Sequence, residues 1–282
     1  MENILLWPAG EAPYMDECPG QAEPSLTLYR AGGTQAPDAA QSCGVVLVCP
    51  GGGYHYKAPH EGEPVARMIN EAGIDAAVLD YRVAPCPHSV PLLDCQRAIR
   101  LLRSMRYTRV AVLGFSAGGN LACNAAVHYD DGAYFEDDFT DCMSCRPNAL
   151  ISCYSVVSMA QHTHVGSLMN LLGEQHSNTA LQRYYSAELN VTRDTPPAFI
   201  WHTAEDASVP VENSLNLAAA LSRCGVPYEM HIFPEGRHGL GLAQEHPAKA
   251  WTSLCKDWLI RQNFDEKLVF TDTNEYTGKE DE

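Results

Sequence analysis

Residues 109–128 constrain this chain more than any other stretch. Arg109 to Leu113 is an apolar run with the look of a strand, and Gly114-Phe115-Ser116-Ala117-Gly118 follows it without a spacer. Small residues continue from there as a helical pattern, with Leu121 to His128 on the helix. A strand that turns sharply into a helix across Gly-x-Ser-x-Gly holds its serine in a strained conformation at the tip of a sheet. Side chains at Gly114 and Gly118 would crowd the approach of strand and helix. The hydroxyl of Ser116 then stands exposed beside the first N–H groups of the helix. Taken alone, the pentapeptide also fits a strand–helix turn that merely contains a serine. Its partners elsewhere in the chain must decide.

Apolar runs alternate with helical patterns from about residue 44 onward. Strands are expected at Gly44–Cys49, Ala76–Leu79, Ala149–Tyr154, Ala198–His202 and Tyr228–Phe233, beside the one that feeds the turn. Helices are expected at Glu61–Ala72, Leu92–Met105, 211–223 and 246–261. Strands alternating with helices imply a mostly parallel central sheet with helices on both faces, and continuously apolar strands agree with burial on both sides. Ser25–Arg30 reads as an antiparallel edge strand. Residues 155–197 are longer than one crossover needs and form either a small cap insert near the strand ends or packed helices. The expected domain is a single unit over residues 1–263. Residues 264–282, with seven acidic residues and two lysines, read as a solvated or partly ordered acidic tail.

Composition excludes several roles. A formal net charge of −16 argues against nucleic acid and anionic membrane surfaces as partners. The amino terminus lacks the basic region and apolar core of a signal peptide, and no apolar run reaches the roughly 20 residues that span a bilayer. A soluble cytoplasmic protein is the expectation. Eleven cysteines, odd in number and scattered, point to a reducing compartment and not to a disulfide framework. Cys142 and Cys145 have the spacing of half a metal site or a redox pair, but no second pair accompanies them, and no metal is expected. His162, His164 and His176 in the insert lack the spacing of a metal site as well.

A serine hydroxyl needs a base to take its proton. In a sheet of this kind the partners follow in the order serine, acid, histidine. Among eleven histidines, His238 lies in a glycine-flanked loop directly after the strand 228–233, whereas His231 is within that strand and His246 falls on the final helix. Glu205 and Asp206 follow the strand 198–202. Asp206, deeper in the loop and four residues before Pro210, is the favoured acid, and Glu205 the reserve. Gly51-Gly52-Gly53 follows an earlier strand, and three glycines let a backbone bring its amides close to a ligand. An oxyanion site would then use the N–H of Ala117 together with Gly52 and Gly53. A phosphate-binding loop is the rival, but no Gly-Lys-Ser/Thr follows.

These residues resemble the α/β-hydrolase superfamily over about 25–262. More narrowly, Pro50-Gly-Gly-Gly-Tyr, Glu61-Gly-Glu-Pro-Val-Ala, Leu79-Asp-Tyr-Arg-Val-Ala-Pro and the opening Leu6-Trp7-Pro8 look like the bacterial acetyl esterase, acetylxylan esterase or feruloyl-esterase-like group. The usual His-Gly-Gly-Gly begins here with Pro50, which leaves the anchoring of the glycine loop open. The resemblance implies a serine esterase that cleaves short acyl esters, acetyl above all, on sugars or oligosaccharides, with Ser116, Asp206 and His238 as triad and no cofactor. The alternatives are a peptidase, lipase or thioesterase of the same chemistry, or a binding module with this fold. Tyr54, His55 and Tyr56 either line the pocket or serve as structural aromatics, and Tyr154 is either pocket wall or core. Arg82 is expected in a structural ion pair. The sequence leaves room for a homo-oligomer.

Overall fold

The computed structural model of the protein describes residues 1–32, 43–129 and 138–266. Eight strands form one sheet: β1 (Glu2–Leu5), β2 (Ser25–Tyr29), β3 (Gly44–Cys49), β4 (Asp75–Asp80), β5 (Arg109–Phe115), β6 (Ala149–Cys153), β7 (Ala198–Thr203) and β8 (Tyr228–Phe233). Their order is β1-β2-β4-β3-β5-β6-β7-β8. Every pair from β4 to β8 is parallel, whereas β2 runs antiparallel to both β1 and β4. Ser25–Arg30 is therefore antiparallel as expected but not the edge, because β1 lies outside it.

Side chains alternate along a strand, so a sheet buried on both faces needs two sets of helices. One face carries Val45, Leu47, Val112 and Ile200 against helices α2 (Val90–Ser104), α3 (Ser116–Val127) and α6 (Glu212–Cys224). The other carries Val46, Val48, Leu113, Ile151 and Phe199 against α1 (Glu63–Asn70) and α7 (Ala250–Arg261). Arg82, 1% exposed, forms a buried bidentate pair with Asp94 and also donates to the carbonyl of Pro13.

The structure corrects several expectations. The pattern read as one helix from Glu61 is a 3-10 turn at Pro59–Glu61 followed by α1, because Gly62 breaks the backbone and Pro64 needs a position in the first turn. His246 is not on the final helix. Its Nδ1 accepts the N–H of Ala248 and caps a short turn at Pro247–Lys249 that precedes α7. Cys18 and Cys86 are joined as a disulfide, against the expectation of a reducing compartment without a disulfide framework. Neither Cys142 nor Cys145 is in a disulfide: Cys142 is exposed, and the buried Cys145 Sγ accepts from Arg100 Nη2 at 3.6 Å. Phe264 is 1% exposed and Cys43 donates its N–H to the carbonyl of Glu266, so the stretch read as a tail begins docked on the sheet. The rest of that stretch, 267–282, lies outside the described residues. The insert 155–197 holds α4 (Val165–Leu172) and α5 (Thr179–Tyr184).

Candidate active site

The parallel strands end on one edge, and the loops leaving β3, β5, β7 and β8 meet there. Ser116 is the first residue of α3, directly after β5, with φ +50°. The glycines around it permit that turn. A Cβ on Gly114 would sit 2.1 Å from the carbonyl oxygen of Gly118, and one on Gly118 would sit 2.2 Å from that of Cys49. Strand and helix are in contact at backbone distance, which only glycine allows.

The loop after β8 brings His238 to the serine. Its Nε2 lies 2.8 Å from Ser116 Oγ, and its Nδ1 lies 2.6 Å from Asp206 Oδ2. An ionised carboxylate only accepts, so Nδ1 carries the proton and Nε2 is left to accept from the serine hydroxyl. Asp206 is fixed from the other side. Its Oδ1 accepts the N–H groups of Ser208 and Val209, and the buried imidazole of His202 lies 3.4 Å from Oδ2. Burial alone would raise the Asp206 pKa. The hydrogen bonds from His202, His238 and the Val209 N–H outweigh it and hold the carboxyl well below the usual range. Glu205 is exposed and accepts the Gly236 N–H at 3.4 Å. His231 instead pairs with Glu229 on β8.

The glycine loop after β3 lies beside the serine. Gly52 and Gly53 have φ +131° and +64°, and a Cβ on Gly52 would fall 2.1 Å from the carbonyl oxygen of Tyr56. Its anchors answer the question left by Pro50. Tyr81 donates its hydroxyl to the Pro50 carbonyl at 2.6 Å. Glu61 accepts the Gly51 N–H at 2.8 Å, and Asn170 on α4 donates to the Gly53 carbonyl at 2.8 Å. Among the described residues the N–H groups of Gly52 and Gly53 have no acceptor. The Ala117 N–H belongs to the first turn of α3, where backbone donors lack intrahelical partners.

A cleft of about 350 Å³ opens over Ser116 and His238. His55, Tyr56, His60, Glu61, His164, Asn170 and Ser208 line it, with Gly52 and Gly53. Two of the anticipated wall residues are absent from it. Tyr54 is 2% exposed and donates its hydroxyl to Asn120, because the turn at Gly53 sends its ring into the core. Tyr154, also 2% exposed, packs its ring edge-on behind His238 with centroids 5.1 Å apart. Sequence reasoning assigned no site role to Glu61, His164, Asn170 or Ser208. Asn170 and His164 lie in the insert, which the sequence left open between a cap and packed helices.

Comparison with known proteins agrees with this architecture. An acetyl ester-xyloside bifunctional hydrolase from Caldicellulosiruptor lactoaceticus superposes with a TM-score of 0.86 and 44% identity, over 94% of this chain and 97% of that one. The chain is 37% identical over 225 residues to endo-1,4-beta-xylanase B of Butyrivibrio fibrisolvens, covering 76% of this chain and 35% of that protein. It is 31% identical over 208 residues to an acetylxylan esterase of Xylanibacter ruminicola, covering 70% of this chain and 41% of that protein. The chain thus spans well under half the length of these curated relatives. Its sheet is that of an α/β-hydrolase, and with residues 35–221 matching the family profile, the chain belongs to the BD-FAE family.

Proposed function

We propose that this protein is a serine carboxylesterase that removes short acyl groups, acetyl above all, from hydroxyls of sugars or oligosaccharides. The observation that carries this reading is the unbroken hydrogen-bonded chain from Ser116 through His238 to Asp206, beside the free N–H groups of the glycine loop. Ser116 Oγ attacks the ester carbonyl carbon while His238 Nε2 takes its proton. The carbonyl electron pair moves onto oxygen, where the N–H groups of Ala117 and the Gly52–Gly53 loop hold the charge. As the pair returns, the bond to the alcohol oxygen breaks and His238 delivers its proton there. Water then attacks the acyl-serine, gives a proton to His238, and the carboxylic acid leaves as that proton returns to Ser116. Asp206 stabilises the imidazolium in both halves. The cycle consumes only ester and water.

The alcohol class is argued from the cleft and the relatives. Three histidines, an asparagine and a serine line a site with few large apolar groups, which suits a hydroxyl-rich alcohol better than a lipid chain. Relatives named for acetylxylan and acetyl ester-xyloside hydrolysis point the same way. The deciding experiment is hydrolysis of p-nitrophenyl acetate and of acetylated xylo-oligosaccharides, each beside Ser116→Ala. Activity that disappears with the substitution and falls with acyl length supports the reading. Activity that survives it overturns the nucleophile, and inactivity on every ester favours a binding module.

A further inference from the structure

The imidazole of His164 takes no part in the steps above, yet it borders the same cleft as Ser116 and His238. It stands at the N-cap of α4, where its Nδ1 accepts the Ser167 N–H at 3.2 Å and lies 2.9 Å from Ser167 Oγ. A backbone N–H can only donate, so Nδ1 is unprotonated and the ring proton resides on Nε2. Ser167 is buried and holds the ring by this edge. Gly166 leaves room for it, since a Cβ there would lie 3.0 Å from His164 Cε1. Among the described residues Nε2 has no hydrogen-bond partner. Burial, and then the nearby charge of His238, lowers the pKa of His164 against the pull of Asp206, so the neutral form is kept at neutral pH. The result is a neutral donor with a fixed tautomer on the wall of the cleft.

We propose that His164 Nε2–H is a specificity donor for the alcohol half of the ester, binding a hydroxyl oxygen on the carbon next to the acylated one. The placement favours that half because His164 and His238 line one cleft, and His238 is the group that returns a proton to the departing alcohol. A vicinal hydroxyl is what sugar esters have and simple aryl or alkyl esters lack. This inference rests on the serine-esterase reading.

The test compares trans-2-hydroxycyclohexyl acetate with cyclohexyl acetate, which differ in one vicinal hydroxyl, on the wild type and on His164→Asn. Asparagine is a good N-cap and still accepts the Ser167 N–H, but it is too short to present a donor where Nε2 stands. One neutral hydrogen bond corresponds to a preference of about fivefold in kcat/KM for the hydroxylated ester in the wild type. His164→Asn is expected to bring that ratio to within about twofold of unity. A purely structural role would lower both rates together and leave the ratio where it was, and that result overturns the inference alone. A wild type that cleaves both esters without preference overturns it equally. A wild type inactive on both, and on p-nitrophenyl acetate, overturns the esterase reading and the inference with it.

Discussion

The Tyr154 hydroxyl donates to Glu61 Oε1 at 2.6 Å and accepts the Gly241 N–H at 2.9 Å. Glu61, 2% exposed, accepts the Gly51 N–H with its other oxygen. One buried carboxylate therefore ties the glycine loop to the loop that carries His238, and the Tyr154 ring backs the imidazole directly. Burial, reinforced by the charge of Glu61, pushes the Tyr154 hydroxyl well up, so it remains a donor. His60 adds a second tie, its Nε2 lying 3.1 Å from the Gly239 carbonyl.

Glu61→Gln should damage both loops at once. The amide keeps one acceptor oxygen where the carboxylate used two, so either the Gly51 N–H or the Tyr154 hydroxyl loses its partner. Charge-assisted hydrogen bonds of this kind contribute about 2 kcal/mol each. Urea unfolding should show a loss of that order, and kcat/KM on p-nitrophenyl acetate should fall about tenfold or more. Tyr154→Phe should lose less stability, and the double variant should cost less than the two singles added. Strict additivity would mean the two residues do not act as one unit.

The turn at Ser116 makes a different demand. Gly118→Ala would place a methyl 2.2 Å from the Cys49 carbonyl oxygen, with the Pro50 carbonyl at 2.4 Å. Both are backbone atoms and cannot swing aside, so α3 must move off β3. The expected loss is at least 3 kcal/mol, the upper end of ordinary overpacking. Gly225→Ala is the control: Gly225 opens on free space, and only its left-handed backbone, φ +71°, penalises the substitution, by about 1 kcal/mol. Equal melting temperatures for the two variants would contradict the close approach described here.

Local signals explain why the central strands and the serine turn could be read from the sequence. Each of these elements is specified by an apolar run and the turn residues next to it. What escaped depends on distant contacts. The bond between Glu61 and Tyr154 joins positions 93 apart, and no local pattern marks a carboxylate as a loop anchor. The disulfide closes 68 positions, and an odd, scattered set of cysteines does not say which two sulfurs meet. β1 is four mostly exposed residues, too short to show a period. Tyr54 and His55 are neighbours in sequence, yet the turn at Gly53 turns one into the core and leaves the other on the cleft. The meeting of Asp206 and His238 with Ser116 was legible because each follows its strand within a few residues.

Asp206 links the site to acid stability. Its ordinary pKa is 3.8, and the folded value lies well below that. A carboxyl with a depressed folded pKa stabilises the fold fully above its unfolded pKa and loses that contribution as pH falls toward the folded value. The gap in unfolding free energy between wild type and Asp206→Asn should therefore be steady from pH 7 to about pH 5, at about 2 kcal/mol, and narrow below about pH 4. Asparagine also presents His238 with the wrong tautomer, so kcat at pH 7 should drop about 10⁴-fold. Urea titrations at several pH values read the first effect and ester hydrolysis the second. A gap that widens on acidification would show that His202 and His238 do not hold the carboxylate in its ionised form.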